Sequence, residues 1–201
     1  MQTEIEAKWL NVDKDELRDK LKKIGAKLVQ PERLMVRSVY DFDDKSLEAK
    51  KGWVRVRDEA DKVTLSYKQL NDRTLHGTKE VTVVVDDFKS TCELLEAIGM
   101  ERRAYQETKR ESWQLGDIEI ELDTWPWIPS FVEIEAPDEK KLKTTAEKLD
   151  LDYAKALHGS VETAYTAVYD VTELEIDYWP EITFSNVPDW LEKKRKKYSN
   201  L

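Results

Sequence analysis

Charged residues recur at alternate positions from Glu4 to Glu135, and their types are those that hold phosphate and divalent cations. Glu4, Glu6 and Lys8 alternate with Ile5, Ala7 and Trp9, the period of a strand with one polar and one apolar face. Arg55 and Arg57 alternate with Val54 and Val56, Lys68 and Ser66 with Leu65 and Tyr67, and Glu80 and Thr82 with Val81 and Val83. The clearest cases are Glu119, Glu121 and Asp123 against Ile118, Ile120 and Leu122, and Glu133 and Glu135 against Val132 and Ile134. Arg110 joins this polar face with Thr108 and Ser112, and Arg37, on a strand shared with Tyr40 and Asp41, is a further phosphate contact to consider. Arginine and lysine bind phosphate oxygens through charge-assisted hydrogen bonds. Carboxylates supply the oxygen ligands that Mg²⁺ and Mn²⁺ prefer.

An antiparallel sheet with one polar face ordinarily turns that face to water. Paired arginines, an added lysine and several strands carrying Glu-x-Glu or Glu-x-Asp exceed what solubility requires. A sheet that curls would instead set its apolar outer face against helices and enclose the polar face as a tunnel. The elements to do this are legible. Asp13 caps a helix with Glu16 as its capping-box partner, Leu17, Leu21 and Ile24 as its apolar stripe and Gly25 as its stop. A second helix over Phe88–Ile98 starts near Asp86 or Asp87, carries Leu94, Leu95 and Ile98, and stops at Gly99. Lys-Ile-Gly-Ala in the first and Ala-Ile-Gly-Met in the second hint at two related halves. Beyond Pro137 the pattern turns helical, with Leu142, Ala146 and Leu149, then Val161, Ala164, Tyr165 and Val168 after a capping Ser160, then a short helix over Pro188–Tyr198.

The bulk properties predict one domain over residues 1–201, with a strand-rich core over 2–136 and a helical part over 137–201. The single Cys92 excludes an internal disulfide and fits a reducing compartment. The first strand begins without a basic and apolar leader, so the expected location is cytoplasmic. No apolar run reaches the roughly 18 residues of a membrane helix. A formal net charge of -9 with 37% charged residues argues against a nucleic-acid-coating surface. The Lys193–Lys197 run reads as a solvated helix end. Cys92 reads as core, His158 as a helix-end residue, His76 as a loop residue with an outside chance of touching phosphate, and Trp53 or Trp125 as candidates for stacking on an organic ring.

Glu4-Ile5-Glu6-Ala7-Lys8 resembles the amino-terminal Glu-x-Glu-x-Lys signature of the CYTH superfamily, the triphosphate tunnel metalloenzymes. Arg55-Val56-Arg57, Lys68, Glu80, Arg110, Glu121-Leu122-Asp123 and Glu133-Ile134-Glu135 then resemble the family's later elements, in order, to about residue 136. The resemblance implies an α+β fold built on a closed eight-stranded antiparallel β-barrel flanked by helices. It implies that Lys8, Arg55, Arg57, Lys68 and Arg110 grip phosphate oxygens. It also implies that Glu4, Glu6, Glu133 and Glu135 hold Mg²⁺ or Mn²⁺, with Glu121 and Asp123 completing the set and Glu80 as a supporting acid. Glu4, Glu6, Lys8, Glu133 and Glu135 then form the catalytic group. Three positions depart from the family pattern: Thr108 stands where a lysine is common, Thr82 where a second acid is common, and Trp125-Pro126-Trp127-Ile128-Pro129 replaces a glycine-containing turn. The implied activity is metal-dependent hydrolysis of an inorganic or small organic triphosphate, thiamine triphosphate or a nucleotide among them. Class IV adenylyl cyclisation of ATP and non-catalytic nucleotide or polyphosphate binding are the alternatives.

Overall fold

The computed structural model describes residues 2–3, 5–71 and 77–197. Glu4 and His76 lie outside the described residues. The alternation resolves into strands β1 (Gln2–Thr3), β2 (Glu6–Leu10), β3 (Lys27–Phe42), β4 (Gly52–Asp58), β5 (Val63–Leu70), β6 (Thr78–Val85), β7 (Met100–Leu115), β8 (Ile118–Thr124), β9 (Phe131–Glu135) and β10 (Glu181–Ile182). They form one curled sheet in the order β1-β6-β5-β4-β3-β7-β8-β9-β2, with β10 beside β7. Every pairing along that order is antiparallel, and only β10 runs parallel to its neighbour. The class is α+β, as expected, but the expected closed eight-stranded barrel is here a curled open sheet. Its hydrogen-bond ladder lapses within the first strand: β1 pairs with β6, β2 pairs with β9, and Ile5 between them belongs to no strand.

The two long strands at the centre explain the echo between the halves. Helix α1 (Lys14–Lys23) ends at Gly25 with φ 84°, and α2 (Phe88–Ala97) ends at Gly99 with φ 94°. That left-handed backbone is open to glycine without steric cost. A strand of 16 residues follows each stop, and these two strands, β3 and β7, pair with one another. The register slips near Pro31, where a residue without an N–H is best tolerated. Asp13 and Asp87 cap the two helices, whereas Glu16, expected as the capping-box partner of Asp13, pairs with Lys20.

The outer face of the sheet meets two apolar clusters, and a third lies on its inner side. Behind β2, β8 and β9, the residues Ala7, Trp9, Ile118, Ile120, Leu122, Val132 and Ile134 bury against Leu17 and Leu21 of α1 and Leu142 and Ala146 of α3 (Glu139–Lys148). Behind β3 and β4, Tyr40 and Val56 meet Cys92 and Leu95 of α2. The third joins Trp125, Ile128 and Phe131 to the short helices α4 (Glu162–Val168), α5 (Glu173–Asp177) and α6 (Asp189–Glu192). Two helix readings need correction. In α2, Leu94 and Ile98 are exposed and Thr91 and Cys92 are buried instead, because the helix presents its Thr91–Cys92–Leu95 side to the strands. The last helix stops at Glu192, and the basic run leaves it to form a bridge between Arg195 and Tyr169. No helix among the described residues is long and apolar enough to cross a membrane.

Candidate active site

Because the outer face is apolar, the inner face must carry the charges, and it encloses a cavity of about 1450 Å³. Among the predicted site residues Glu6, Lys8, Arg37, Arg55, Arg57, Lys68, Glu80, Arg110, Glu121, Asp123, Glu133 and Glu135 all line it. The strand register sorts them by sign. Glu6 stands opposite Glu135, which stands opposite Glu119, and in the next row Lys8, Glu133 and Glu121 are neighbours. Across the cavity Arg37 stands opposite Arg57. Directly opposed like charges destabilise a sheet, so both walls carry a cost that a bound ion of opposite sign would relieve.

On the acidic wall that cost is partly met from within. The Lys8 ammonium, only 2% exposed, lies 3.3 Å from Glu133 Oε2 and 3.5 Å from Glu6 Oε1, and donates to the Gly159 carbonyl. Burial alone would lower the Lys8 pKa, but the two carboxylates hold it above the ordinary lysine value. Arg110 makes a bidentate pair with Asp123, at 2.7 and 2.6 Å, and reaches Glu133 Oε1 at 3.5 Å. Burial works to raise the Glu133 pKa, yet Lys8, Arg110 and Lys68 together hold its carboxyl well below the usual carboxylate range. Two acids escape this neutralisation. Glu135 is pushed up to about 7 by burial and by the charges of Glu6, Glu133 and Glu119. Glu121 is pushed up to about 7 by burial, with Asp123 and Glu133 adding to the effect, and its buried Oε2 accepts no hydrogen bond among the described residues.

The basic wall keeps a surplus of charge. Arg55 is buried, reaches Glu80 Oε1 at 3.2 Å, and has an Nε without an acceptor among the described residues. Burial and the nearby Arg57 and Arg37 pull its pKa down to about 9. Lys68 lies 3.0 Å from Glu80 Oε2. Arg57 bonds Glu59 Oε1 at 3.0 and 2.7 Å. Arg37 donates to Gln106 at 2.6 Å and stacks 4.2 Å over Trp125, with its pKa pulled down to about 10 by burial, then by Arg57 and Arg110. An arginine stays protonated in a protein, so these depressions express the burial of positive charge first and its crowding second.

The residues present fit a hard divalent cation in donor type: Glu6, Glu121, Glu133 and Glu135 offer carboxylate oxygen only, and one buried oxygen of Glu121 is orphaned. Among the described residues no cluster of three or more Asp, Glu, His or Cys is drawn together tightly enough to hold one. The Lys8 and Arg110 contacts explain this, since they turn Glu6, Glu133 and Asp123 toward internal cations.

Several wall residues escaped the sequence reading. Arg33 bonds Ser112 Oγ at 3.1 Å and the carbonyls of Arg110 and Glu59. The signal was available, since Arg33 and Arg37 share one strand face at a spacing of two periods. Gln106 follows by the same alternation from Arg110. Glu162, on α4, also lines the cavity, and no periodicity points to it. Trp53 and Trp125 line it as well, but Trp125 is only 4% exposed and its face is taken by Arg37. His158 ends no helix; its Nδ1 lies 3.3 Å from the Glu6 carbonyl. Ser160 gives α4 no side-chain cap.

The CYTH domain family model matches residues 2–167. A candidate adenylate cyclase from Vibrio parahaemolyticus superposes with a TM-score of 0.69 at 19% identity, covering 82% of this chain and 98% of that one. A Pyrococcus horikoshii OT3 protein gives 0.65 at 20% identity over 76% and 93% of the two chains. A candidate adenylyl cyclase from Hippeastrum, described as revealing a dominant triphosphatase activity, gives 0.57 at 14% identity over 78% and 91%. At these identities the likeness is one of fold. No curated protein matches the chain.

Proposed function

From the premise that the chain belongs to the CYTH domain family, we propose that it hydrolyses a triphosphate, inorganic or small organic, in a reaction dependent on Mg²⁺ or Mn²⁺. The observation that carries this reading is the uneven charge of one cavity, with Arg37, Arg55, Arg57 and Lys68 on β3, β4 and β5 and Glu6, Glu119, Glu121, Glu133 and Glu135 on β2, β8 and β9. A polyphosphate chain coordinated to a divalent cation is the ligand that answers both walls at once. In this reading residues 1–201 act as one domain and the sheet closes into a tunnel through the first strand, whose two segments pair with opposite ends of the strand order.

Arg55, Arg57, Arg37 and Lys68 bind the phosphate oxygens, and Arg110 joins them from the edge of the acidic wall. Their fixed positive charge offsets the negative charge that spreads over the equatorial oxygens of a loose phosphoryl-transfer transition state. Glu4, Glu6, Glu133 and Glu135 hold the metal, with Glu121 and Asp123 in support. Bound there, the cation would supply Lewis-acid polarisation of phosphate oxygens and a more acidic water. Lys8 keeps Glu6 and Glu133 in place through its two ion pairs and its bond to Gly159. Glu80 orients Arg55 and Lys68. One carboxylate of the metal-holding set orients the attacking water. The buried free thiol of Cys92 suits a cytoplasmic setting, and the acidic net charge gives no reason to invoke nucleic acid or a membrane surface as partner.

Cyclisation of ATP is the second reading, favoured by the Vibrio and Hippeastrum neighbours named as candidate cyclases. The Hippeastrum protein's dominant triphosphatase activity supports the order adopted here. Incubation with inorganic triphosphate, thiamine triphosphate and ATP in Mg²⁺ or Mn²⁺ tests it. Orthophosphate release supports hydrolysis, cyclic AMP with pyrophosphate supports cyclisation, and tight binding without product in any of the three makes the chain a binding module.

A further inference from the structure

The C-terminal part adds a carboxylate where a cavity built for polyanions would be expected to exclude one. Ser160, Val161 and Glu162 line the same cavity as the arginines. Glu162 Oε2 is shielded from solvent and accepts no hydrogen bond among the described residues. It is held there by packing. Three residues further along α4, Tyr165 sets its ring edge-on to Trp125 at 6.3 Å and 85° and donates to the Pro126 carbonyl at 2.8 Å. Trp125 in turn carries Arg37 on its other side, and the Glu162 charge is near enough to favour the Arg37 cation. Glu162 thus stands at the rim of the basic wall, beside Arg37, with an acceptor that nothing among the described residues uses.

A shielded carboxylate oxygen without a donor is costly, and a ligand that brings a donor recovers that cost. A phosphate oxygen cannot do so, and it would be repelled. The group that fits is the N–H, O–H or cationic nitrogen of an organic moiety. Resting on the triphosphate reading above, we infer that Glu162 is a specificity-determining residue which receives the donor-bearing organic end of an organic triphosphate. Inorganic triphosphate and longer polyphosphates are correspondingly disfavoured.

Calorimetric titration with β,γ-imido-ATP and with inorganic diimidotriphosphate, both resistant to hydrolysis, at fixed Mg²⁺, tests this on the full chain. Wild type binds the nucleotide analogue more tightly. In Glu162→Gln, nucleotide binding weakens about tenfold, the value of one charge-assisted hydrogen bond, and diimidotriphosphate binding tightens. Glu162→Asp, which keeps the charge, retains part of the preference and guards against a folding defect. Shifts of the same sign for both ligands, or none, would assign Glu162 to packing and overturn the inference. Wild type binding diimidotriphosphate as tightly as the nucleotide overturns it as well, while leaving the triphosphatase reading intact. Wild type binding neither ligand overturns both.

Discussion

The two walls of the cavity use similar numbers of charged side chains and end in opposite electrostatic states. On the acidic wall, Lys8 and Arg110 are inserted among the carboxylates and pair with them at close range. On the basic wall Glu80 is shared by Arg55 and Lys68 and Glu59 pairs with Arg57, and Arg55, Arg57 and Arg37 remain close enough to repel one another. A wall partly neutralised from within contributes to holding the fold together, whereas a wall left with surplus positive charge stores a demand for an anion. Burying charge without full compensation costs stability, and sites of function are where such costs concentrate.

The sharpest way to break this contrast is to make matched substitutions on the two walls. Arg55→Met is expected to lower kcat/KM for the triphosphate substrate by about 10³, the scale for removing a preorganised charge donor. The same variant should unfold at the same or a higher temperature, because it relieves the crowding. Glu133→Gln is the counterpart. It strips Lys8 and Arg110 of a shared partner, and breaking a buried pair is expected to cost about 3 kcal/mol in urea unfolding. Equal losses of stability in both variants would erase the distinction between the walls.

The pH dependence sharpens it further. Glu121 and Glu135 have pKa values raised from the ordinary 4.5 to about 7 in the folded chain, so the native state binds more protons than the unfolded one across that interval. Without divalent metal, stability is therefore greatest near the lower end of the interval and falls as pH rises to about 7, by up to about 1.4 kcal/mol per pH unit for each group. Glu133 acts in the opposite sense, since its lowered pKa contributes stability that is lost on acidification below 4.5. Mg²⁺ at millimolar concentration should flatten the decline toward pH 7 by favouring the ionised acids. Thermal unfolding from pH 4 to 8 with EDTA and with Mg²⁺ measures both slopes, and identical curves would mean that the acidic wall holds no metal.

Much of this arrangement was legible in the sequence because a period of two is a local property. Glu119, Glu121 and Asp123 fall on one face whatever the strand's neighbours are, and the same holds for Arg55 with Arg57. What the sequence could not disclose depends on packing between elements. The family resemblance implies a phosphate role for Lys8, and the structure adds that its Nζ meets Glu6, Glu133 and Gly159, the last being 151 positions away. Glu162 enters the cavity only because Tyr165 and Trp125 fix how α4 docks. Leu94 and Ile98 were read as buried because they are apolar, but the side of α2 that meets the sheet carries Thr91, Cys92 and Leu95. The break in the first strand was equally hidden, since the alternation of Glu4, Glu6 and Lys8 runs straight through it.

The smallest expected effect concerns the helices behind the two walls. Asp13 accepts hydrogen bonds from the backbone of Asp15 and Glu16 at the start of α1, and Asp87 accepts one from Ser90 at the start of α2. Loss of such a cap costs about 1 kcal/mol. The consequence should differ because the helices are anchored differently. Leu17 and Leu21 of α1 bury in the large cluster that also contains α3 and the backs of β2, β8 and β9, so α1 opens only with that core. Helix α2 buries into a smaller cluster and leaves Leu94 60% and Ile98 61% exposed, which favours opening on its own. Asp13→Ala should therefore lower global stability by about 1 kcal/mol, speeding exchange in no particular set of amides relative to another. Asp87→Ala should instead speed hydrogen exchange within Phe88–Ala97 about fivefold and leave α1 and α3 amides unchanged. Exchange measured residue by residue separates the two outcomes, and uniform acceleration in Asp87→Ala would show that α2 opens only with the whole fold.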